Sequence, residues 1–333
     1  VSAPVATAEL LEDRGEAASS GEFFRSRAFL NAEGVTHTLR IEVADSELLA
    51  PLIVRSIGEG PERDAVSPYG YPGLVQGEGS PGHARRSNSG EAPTGMPRTP
   101  PTLDPSAIDF SGTGLVSVFV RHTLDEPLLT GTTERNVVQI ADPDLAPKSR
   151  PSDRRQVRKN LEAGYELELV PGRETTATQR AGFLDVYEQT MRRTGAAGHY
   201  FFPAAYFDRV LEADRTWLAL ATAPGGELAA ASLAAVSDGF LHYYLSGSAD
   251  SHLRDSPMKN VVARLVEHAA ELALPLNLGG GIAAGDALEE FKRGFANRQE
   301  TWHTSEIVCD PAAYERLSVG REAAGFFPAY RAP

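Results

Sequence analysis

Thr216 to Ser248 constrains the fold more than any other stretch of this chain. It reads TWLALATA, ELAAASLAAVS and FLHYYLSGS, three apolar runs of strand length separated by Gly225–Gly226 and Asp238–Gly239. Such pairs supply the left-handed backbone of tight hairpins, so the runs are expected to form an antiparallel meander. What flanks the meander is helical. RPSDRRQVRKNLEAG opens with capping signals and predicts a helix closing at Gly164, followed by the alternating strand YELELV. Thr176–Arg193 and Pro203–Ala213 are helical patterns, the second with proline in a first-turn position. After the meander come the amphipathic SPMKNVVARLVEHAAELAL, a short strand PLNLG, a helix DALEEFKRGF, a strand TWHTSEIVCD and a last helical turn from Pro311 to Leu317.

The first half is strand-rich. THTLRIEV, APLIVRSIG, LVSVFVRH and NVVQIAD all read as strands. Between them, residues 76–109 hold Gly, Pro or Ser at 15 of 34 positions, too few apolar groups to offset the entropy of ordering. The expected layout is a flexible arm over 1–22, a first domain over 23–150 with a disordered insertion at 76–109, a second domain over 151–320 and a tail over 321–333.

At 333 residues, 41% hydrophobic and 23% charged, the composition is that of a soluble globular protein. No window approaches eighteen apolar residues, so no membrane helix is expected. The acidic N-terminus lacks a basic segment followed by an apolar core, and the cytoplasm is the expected compartment. A formal charge of −13 argues against nonspecific binding to DNA or to an anionic membrane. Cys309 is the only cysteine, which excludes an internal disulfide and a cysteine-rich zinc site, and no metal or cofactor is expected.

LNLGGGIAAGDALEEFKRGF raises the question of a phosphate loop. A P-loop laid on Gly280 and Gly285 puts Asp286 where a lysine is needed, and its carboxylate would repel phosphate. The dinucleotide pattern fits Gly279, Gly281 and Ala284, but too little chain follows for the βαβ repeats that fold needs. The glycines then serve a sharp turn or close packing. Lys292, on the helix beyond, reads on spacing alone either as a solvated side chain or as a site residue.

YFFPAAYFDRVL, LHYYLSGSADSHLRDSPMKNVVARLVEHA, LNLGGGIAAGDALEEFKRGF and SPYGYPGLV together resemble the Fem-type branch of the GNAT acyltransferase superfamily, which includes the peptidoglycan-bridge aminoacyltransferases. The resemblance covers Thr36 to Leu317 apart from the insertion. It implies an α/β (α+β) chain of two tandem GNAT-like domains, each a mixed, mostly antiparallel sheet flanked by helices, with the first domain degenerate.

The resemblance also implies roles. Phe291 and Lys292 match the family's F-K pair beside the reacting carbonyl, where an ammonium would offset oxyanion charge. The family's strand tyrosine maps to Tyr243 or Tyr244, which point to opposite faces of a strand; Tyr244 is taken as the residue in the cleft. Tyr69 and Tyr71 would line an acceptor groove, and Asp64 would hold an acceptor ammonium. The junction SADSHLRDSPMKN, with Ser256 and Met258 as candidate substrate contacts, lacks the glycine loop that holds coenzyme A pyrophosphate, and Pro257 removes a backbone donor. That favours an aminoacyl-tRNA donor over acyl-CoA. Arg154, Arg155, Arg158 and Lys159 form adjacent i,i+4 pairs on one side of a helix, suited either to solvent or to tRNA phosphates. The expected reaction is direct aminoacyl transfer to a primary amine of a small-molecule or peptide acceptor. An acyl-CoA-dependent N-acetyltransferase and a non-catalytic binding module are the alternatives.

Overall fold

The computed structural model describes residues 6–44, 46–77, 102–283, 285–321 and 325–332. The chain forms two compact units, each assembled from separate stretches. Unit 1 holds Val1–Ser20, Glu33–Arg135 and His303–Pro333; unit 2 holds Gly21–Ala32 and Asn136–Trp302. This corrects the linear layout expected from composition, because both ends of the chain belong to unit 1.

Unit 1 contains β1 (Ala6–Leu11), β2 (His37–Val43), β3 (Ser46–Ser56), β4 (Arg63–Val66), β5 (Val75–Gln76), β6 (Ile108–Asp109) and β7 (Leu115–Arg121). Pairing runs β6-β1-β2-β3-β4-β7, with β5 alongside β3. The β1–β6 and β4–β7 pairs are parallel and the others antiparallel. Leu39, Ile41, Ala50, Leu52, Val118 and Val120 are wholly buried in its core.

Three expectations fail here for one reason: each segment gains its order from a distant partner. Residues 6–11 of the predicted arm pair with β2, Ala6 opposite Val43 through Leu11 opposite Thr38. The C-terminal end of the predicted insertion buries Leu103 and Ile108 in the core; residues 78–101 lie outside the described residues. In the predicted tail, Tyr330 is buried with its hydroxyl 2.7 Å from Ser117 Oγ.

Unit 2 contains α1 (Arg27–Glu33), β8 (Thr133–Ala141), α2 (Pro151–Glu162), β9 (Glu166–Pro171), α3 (Ala177–Thr194), α4 (Ala204–Val210), β10 (Thr216–Thr222), β11 (Leu228–Ser237), β12 (Phe240–Ser248), α5 (Met258–Glu271), β13 (Leu276–Asn277) and α6 (Ala287–Arg293). Then β14 (Arg298–Val308) leads to α7 (Pro311–Ser318), and residues Thr304–Val308 pair antiparallel with β7 in unit 1. In unit 2 the order is β8-β13-β12-β11-β10-β9, antiparallel throughout except β12 with β13. The sheets of both units are thus mixed and mostly antiparallel, as expected.

Local signals place the helices of unit 2. Thr176 and Gln179 close a capping box on α3, and Gly195 ends it at φ 63°. The apolar stripe of α5 buries Val261, Val262, Leu265 and Ala269 with Leu276, Leu278 and Phe295. Gly247 of the SGS segment lets β12 approach α3 closely; a Cβ there would lie 2.3 Å from the Val186 carbonyl oxygen. Residues 23–29 clip onto the β11–β12 hairpin, where Arg25 pairs with Asp238 at 2.5 Å and the Phe24 amide donates to Ser237 Oγ at 3.4 Å.

Candidate active site

The site begins where two strands part. β12 and β13 pair at only two positions, Leu241 with Leu276 and His242 with Asn277. Beyond them the chain after β13 enters the glycine turn, while β12 continues through Tyr243 and Tyr244. On its other edge β12 slips register against β11, leaving Tyr244 with no residue opposite it. Such a bulge re-aims side chains and is common beside functional sites.

The glycine turn holds Lys292. Gly279 has φ 74°, and a Cβ on it would come within 3.2 Å of Lys292 Nζ. Lys292 is buried, and its Nζ donates to the Gly280 carbonyl at 2.6 Å. Burial pushes its pKa down to about 8, with Asp286 pulling weakly the other way. Asn136 braces the turn by donating Nδ2 to the Gly281 carbonyl at 2.9 Å. Asp286 is the N-cap of α6: its carboxylate accepts the amides of Ile282, Ala283 and Glu289 at 2.7, 3.0 and 2.7 Å. The Gly285 amide donates to Glu289. The amides of Ile282, Ala283 and Gly285 are therefore taken by the protein's own carboxylates.

The two tyrosines separate to different surroundings. Tyr243, Phe291 and Met258 all pack against the core cluster of α5 and Phe295. Burial lifts the Tyr243 phenol to about 12. Tyr244 lies with the opposite residue set: its ring meets Phe23 and Phe24 at 5.5 and 5.4 Å, and its hydroxyl lies 2.8 Å from that of Tyr206. Residues 23–29 pack against the Tyr244 side, and both tyrosines are half-buried. His242 is structural. Its Nε2 faces the Ser237 carbonyl at 3.1 Å, Asn277 Nδ2 faces its Nδ1 at 3.1 Å, and burial holds its pKa at about 4.

The start of α5 gives no phosphate cradle. Pro257 has no N–H, and the amides of Lys259 and Asn260 already donate to the carbonyls of Ser256 and Pro257 at 3.0 and 2.9 Å. Ser256 is half-buried in a left-handed conformation at φ 48°. Beside it, the Asp255 carboxylate accepts from Tyr165 at 3.0 Å and its carbonyl from Asn160 at 2.8 Å.

Helix α2 displays its cations. Arg154, Arg155, Arg158 and Lys159 are all exposed, and among the described residues none pairs with a carboxylate. Of the two acids of α2, Glu162 is exposed at the last residue, while Asp153 is buried and turned toward Lys259 Nζ at 2.9 Å. The positive face is thus less neutralised than residue counting implies.

The site residues predicted in unit 1 fare differently. Asp64 is completely buried and gripped by two guanidiniums, Arg55 Nε at 2.9 Å and Arg331 at 2.5 and 3.0 Å. It has no room for an acceptor ammonium, which overturns that role. Tyr69 and Tyr71 are half-buried in irregular chain between β4 and β5, and the Tyr69 amide donates to Glu33 at 2.9 Å. Burial pushes the Cys309 thiol up to about 12, which disfavours the thiolate. Asn136, Lys259 and Tyr206 escaped sequence reasoning; Asn136 lies 145 positions from its partner, and no local pattern marks it.

Among the described residues no helix is long and apolar enough to cross a membrane. No curated protein sequence matches the chain. Residues 147–293 match the family model Acetyltransf_6, an acetyltransferase (GNAT) domain. Among solved structures, that of FemX superposes with a TM-score of 0.55 at 12% identity, covering 84% of this chain and 90% of that one. The C-terminal domain (DUF2156) of a putative lysylphosphatidylglycerol synthetase from Agrobacterium fabrum superposes with a TM-score of 0.53 at 12% identity, covering 88% and 91%. The matched segment lies within unit 2 and ends one residue past Lys292; it is similar to a GNAT acetyltransferase domain, and the chain shares the fold of FemX.

Proposed function

We propose that this protein transfers an aminoacyl group from an aminoacyl-tRNA to a primary amine of a small-molecule or peptide acceptor, in the cytoplasm. The observation that carries this reading is Lys292, a buried ammonium held at a glycine turn where β12 and β13 part. Only one of its donors is engaged within the described residues, by Gly280. The rest are available to an oxyanion forming on the donor carbonyl. In the step itself the amine nitrogen bonds to the ester carbonyl carbon and the ester C–O bond breaks. The ribose oxygen leaves and takes the proton that the amine gives up. Tyr243, on the side of Phe291 and Met258, orients the donor. Exposed cations on α2 meet the tRNA backbone, and the occupied amides at α5 disfavour a pyrophosphate. Tandem GNAT-like ancestry of the two units, and an acceptor role for Tyr69 and Tyr71, belong to the same proposal.

Lys292→Ala should lower turnover with charged tRNA and an amine by on the order of 10²–10³ while circular dichroism stays unchanged. Wild-type turnover in this variant would overturn the assignment. The match of 147–293 to an acetyltransferase domain favours acyl-CoA as a second donor. Parallel incubations with acetyl-CoA and with charged tRNA, read by mass spectrometry of the product, decide between the two.

A further inference from the structure

Helices α2 and α5 are clamped together by amides. Asn160 donates to Asn260 Oδ1 at 2.7 Å, and Asn260 donates to the Val157 carbonyl at 3.0 Å. Towards the C-terminal half of α5 the two helices leave a groove of about 440 Å³, bordered also by residues 141–149. Its walls are apolar: Val157 and Leu161 from α2, Ala263, Val266 and Ala270 from α5, with Leu145 and Phe295. Leu145 and Leu161 are 44% and 47% exposed, so two large apolar side chains meet water at one place.

The charges around this groove are unevenly spent. Of its acids, Asp142 pairs with Arg298 at 3.0 Å, while Glu267 is exposed and lies 3.8 Å from Arg264. Its cations are Lys148, Arg154 and Arg158, and none of them pairs with a carboxylate among the described residues. Arg154 donates only to the carbonyl and hydroxyl of Ser149. The groove's amide side chain is also used, since Asn297 donates to the Asp142 carbonyl at 2.9 Å and accepts the Asp142 amide at 2.8 Å. Little is left to read the edge of a nucleobase, whereas an alkyl chain requires no such partner.

We propose that this groove binds a single-chain anionic amphiphile, its alkyl chain between α2 and α5 and its head group on Lys148, Arg154 and Arg158. A methylene fills about the share of one liquid water, roughly 30 Å³, so a chain of about ten carbons fits with space to spare. The proposal needs nothing from Lys292 and stands or falls apart from the transfer reaction. Arg154 and Arg158 also belong to the cationic face assigned to tRNA, so the test reads amphiphile binding directly.

Isothermal titration below the micellar range would use hexanoate, octanoate, decanoate, decyl phosphate and decyltrimethylammonium. Expected are one site per chain and an affinity for carboxylates that rises about three- to fourfold per added methylene. Decanoate against decyl phosphate then distinguishes a carboxylate head from a phosphate head. Arg158→Glu should weaken binding at least tenfold. Ala270→Trp should fill the groove and Leu161→Asp should wet it, and both positions are exposed enough to spare the core. Failure of decanoate and decyl phosphate to bind at millimolar concentration overturns the proposal. So does equal binding of the cationic amphiphile, or unchanged binding in both groove variants.

Discussion

Asp64 in unit 1 and Lys292 in unit 2 are both ionisable side chains hidden from water, at 0% and 8% exposure, and both stood out in the sequence as candidate site residues. Their surroundings differ in kind. Asp64 is met by two guanidiniums that satisfy both of its oxygens. Lys292 is met by a neutral carbonyl, and burial lowers its pKa to about 8. Burial alone therefore does not mark a functional charge. A buried charge that the protein compensates fully holds structure together, while one left short of compensation is poised to meet charge on a substrate.

The strongest way to break this comparison is to remove Asp64. Asp64→Ala leaves Arg55 and Arg331 facing each other without their carboxylate and should cost about 3 kcal/mol, towards the lower end for a broken buried pair because both guanidiniums reach solvent. Urea unfolding measures it, and a loss below about 1 kcal/mol would make Asp64 a dispensable, site-like residue after all.

The converse test is Lys292→Met, which should raise stability at pH 7 by on the order of 1–3 kcal/mol while activity is lost. Its sign has a pH signature. With the folded pKa near 8 and the unfolded one near 10.5, the unfolded chain binds more protons between these values. Wild-type stability therefore rises with pH across that window, and the advantage of the methionine variant should shrink over it. A pH-independent gap in thermal unfolding would show that the lysine is not buried as an under-compensated charge.

Smaller effects sharpen the comparison within unit 2. Tyr244→Phe should cost about 1 kcal/mol through its bond to Tyr206, with little change in turnover. Tyr243→Phe should lower turnover with less change in stability, and the reverse pattern would return the cleft role to Tyr244. Replacing Arg155 and Lys159 together by glutamine should leave stability within about 0.5 kcal/mol. The same pair of changes should lower the salt slope of RNA binding by about one unit per cation. An unchanged slope would detach the α2 face from the donor.

Much of unit 2 was legible because its signals are local. The hairpin turns at Gly225–Gly226 and Asp238–Gly239, the capping box of Thr176 and Gln179, and the stripe of α5 each act within a few residues. β1 was not legible. Its short, partly acidic run becomes a strand only beside β2, some thirty positions away. Residues 21–32 likewise follow the first strand in sequence but take their place from Asp238 and Tyr244, more than two hundred positions on. Within the site, FKRGF named Lys292 but could not say what faces it, and the pleat of β12 guaranteed that the tyrosines diverge without saying which way.

Sequence by itself determined the order of helices and strands in unit 2 and the failure of the glycine turn as a phosphate loop. These follow from periodicity, capping and the sign of Asp286, all of which operate within a turn or two of the chain. Only tertiary structure decided that Asp64 is neutralised and Lys292 is not, that Tyr243 rather than Tyr244 lies on the side of Phe291, and that Asp153 turns inward to Lys259. Electrostatic compensation depends on which distant groups arrive within about 3 Å, and that distance is a property of packing, not of spacing along the chain.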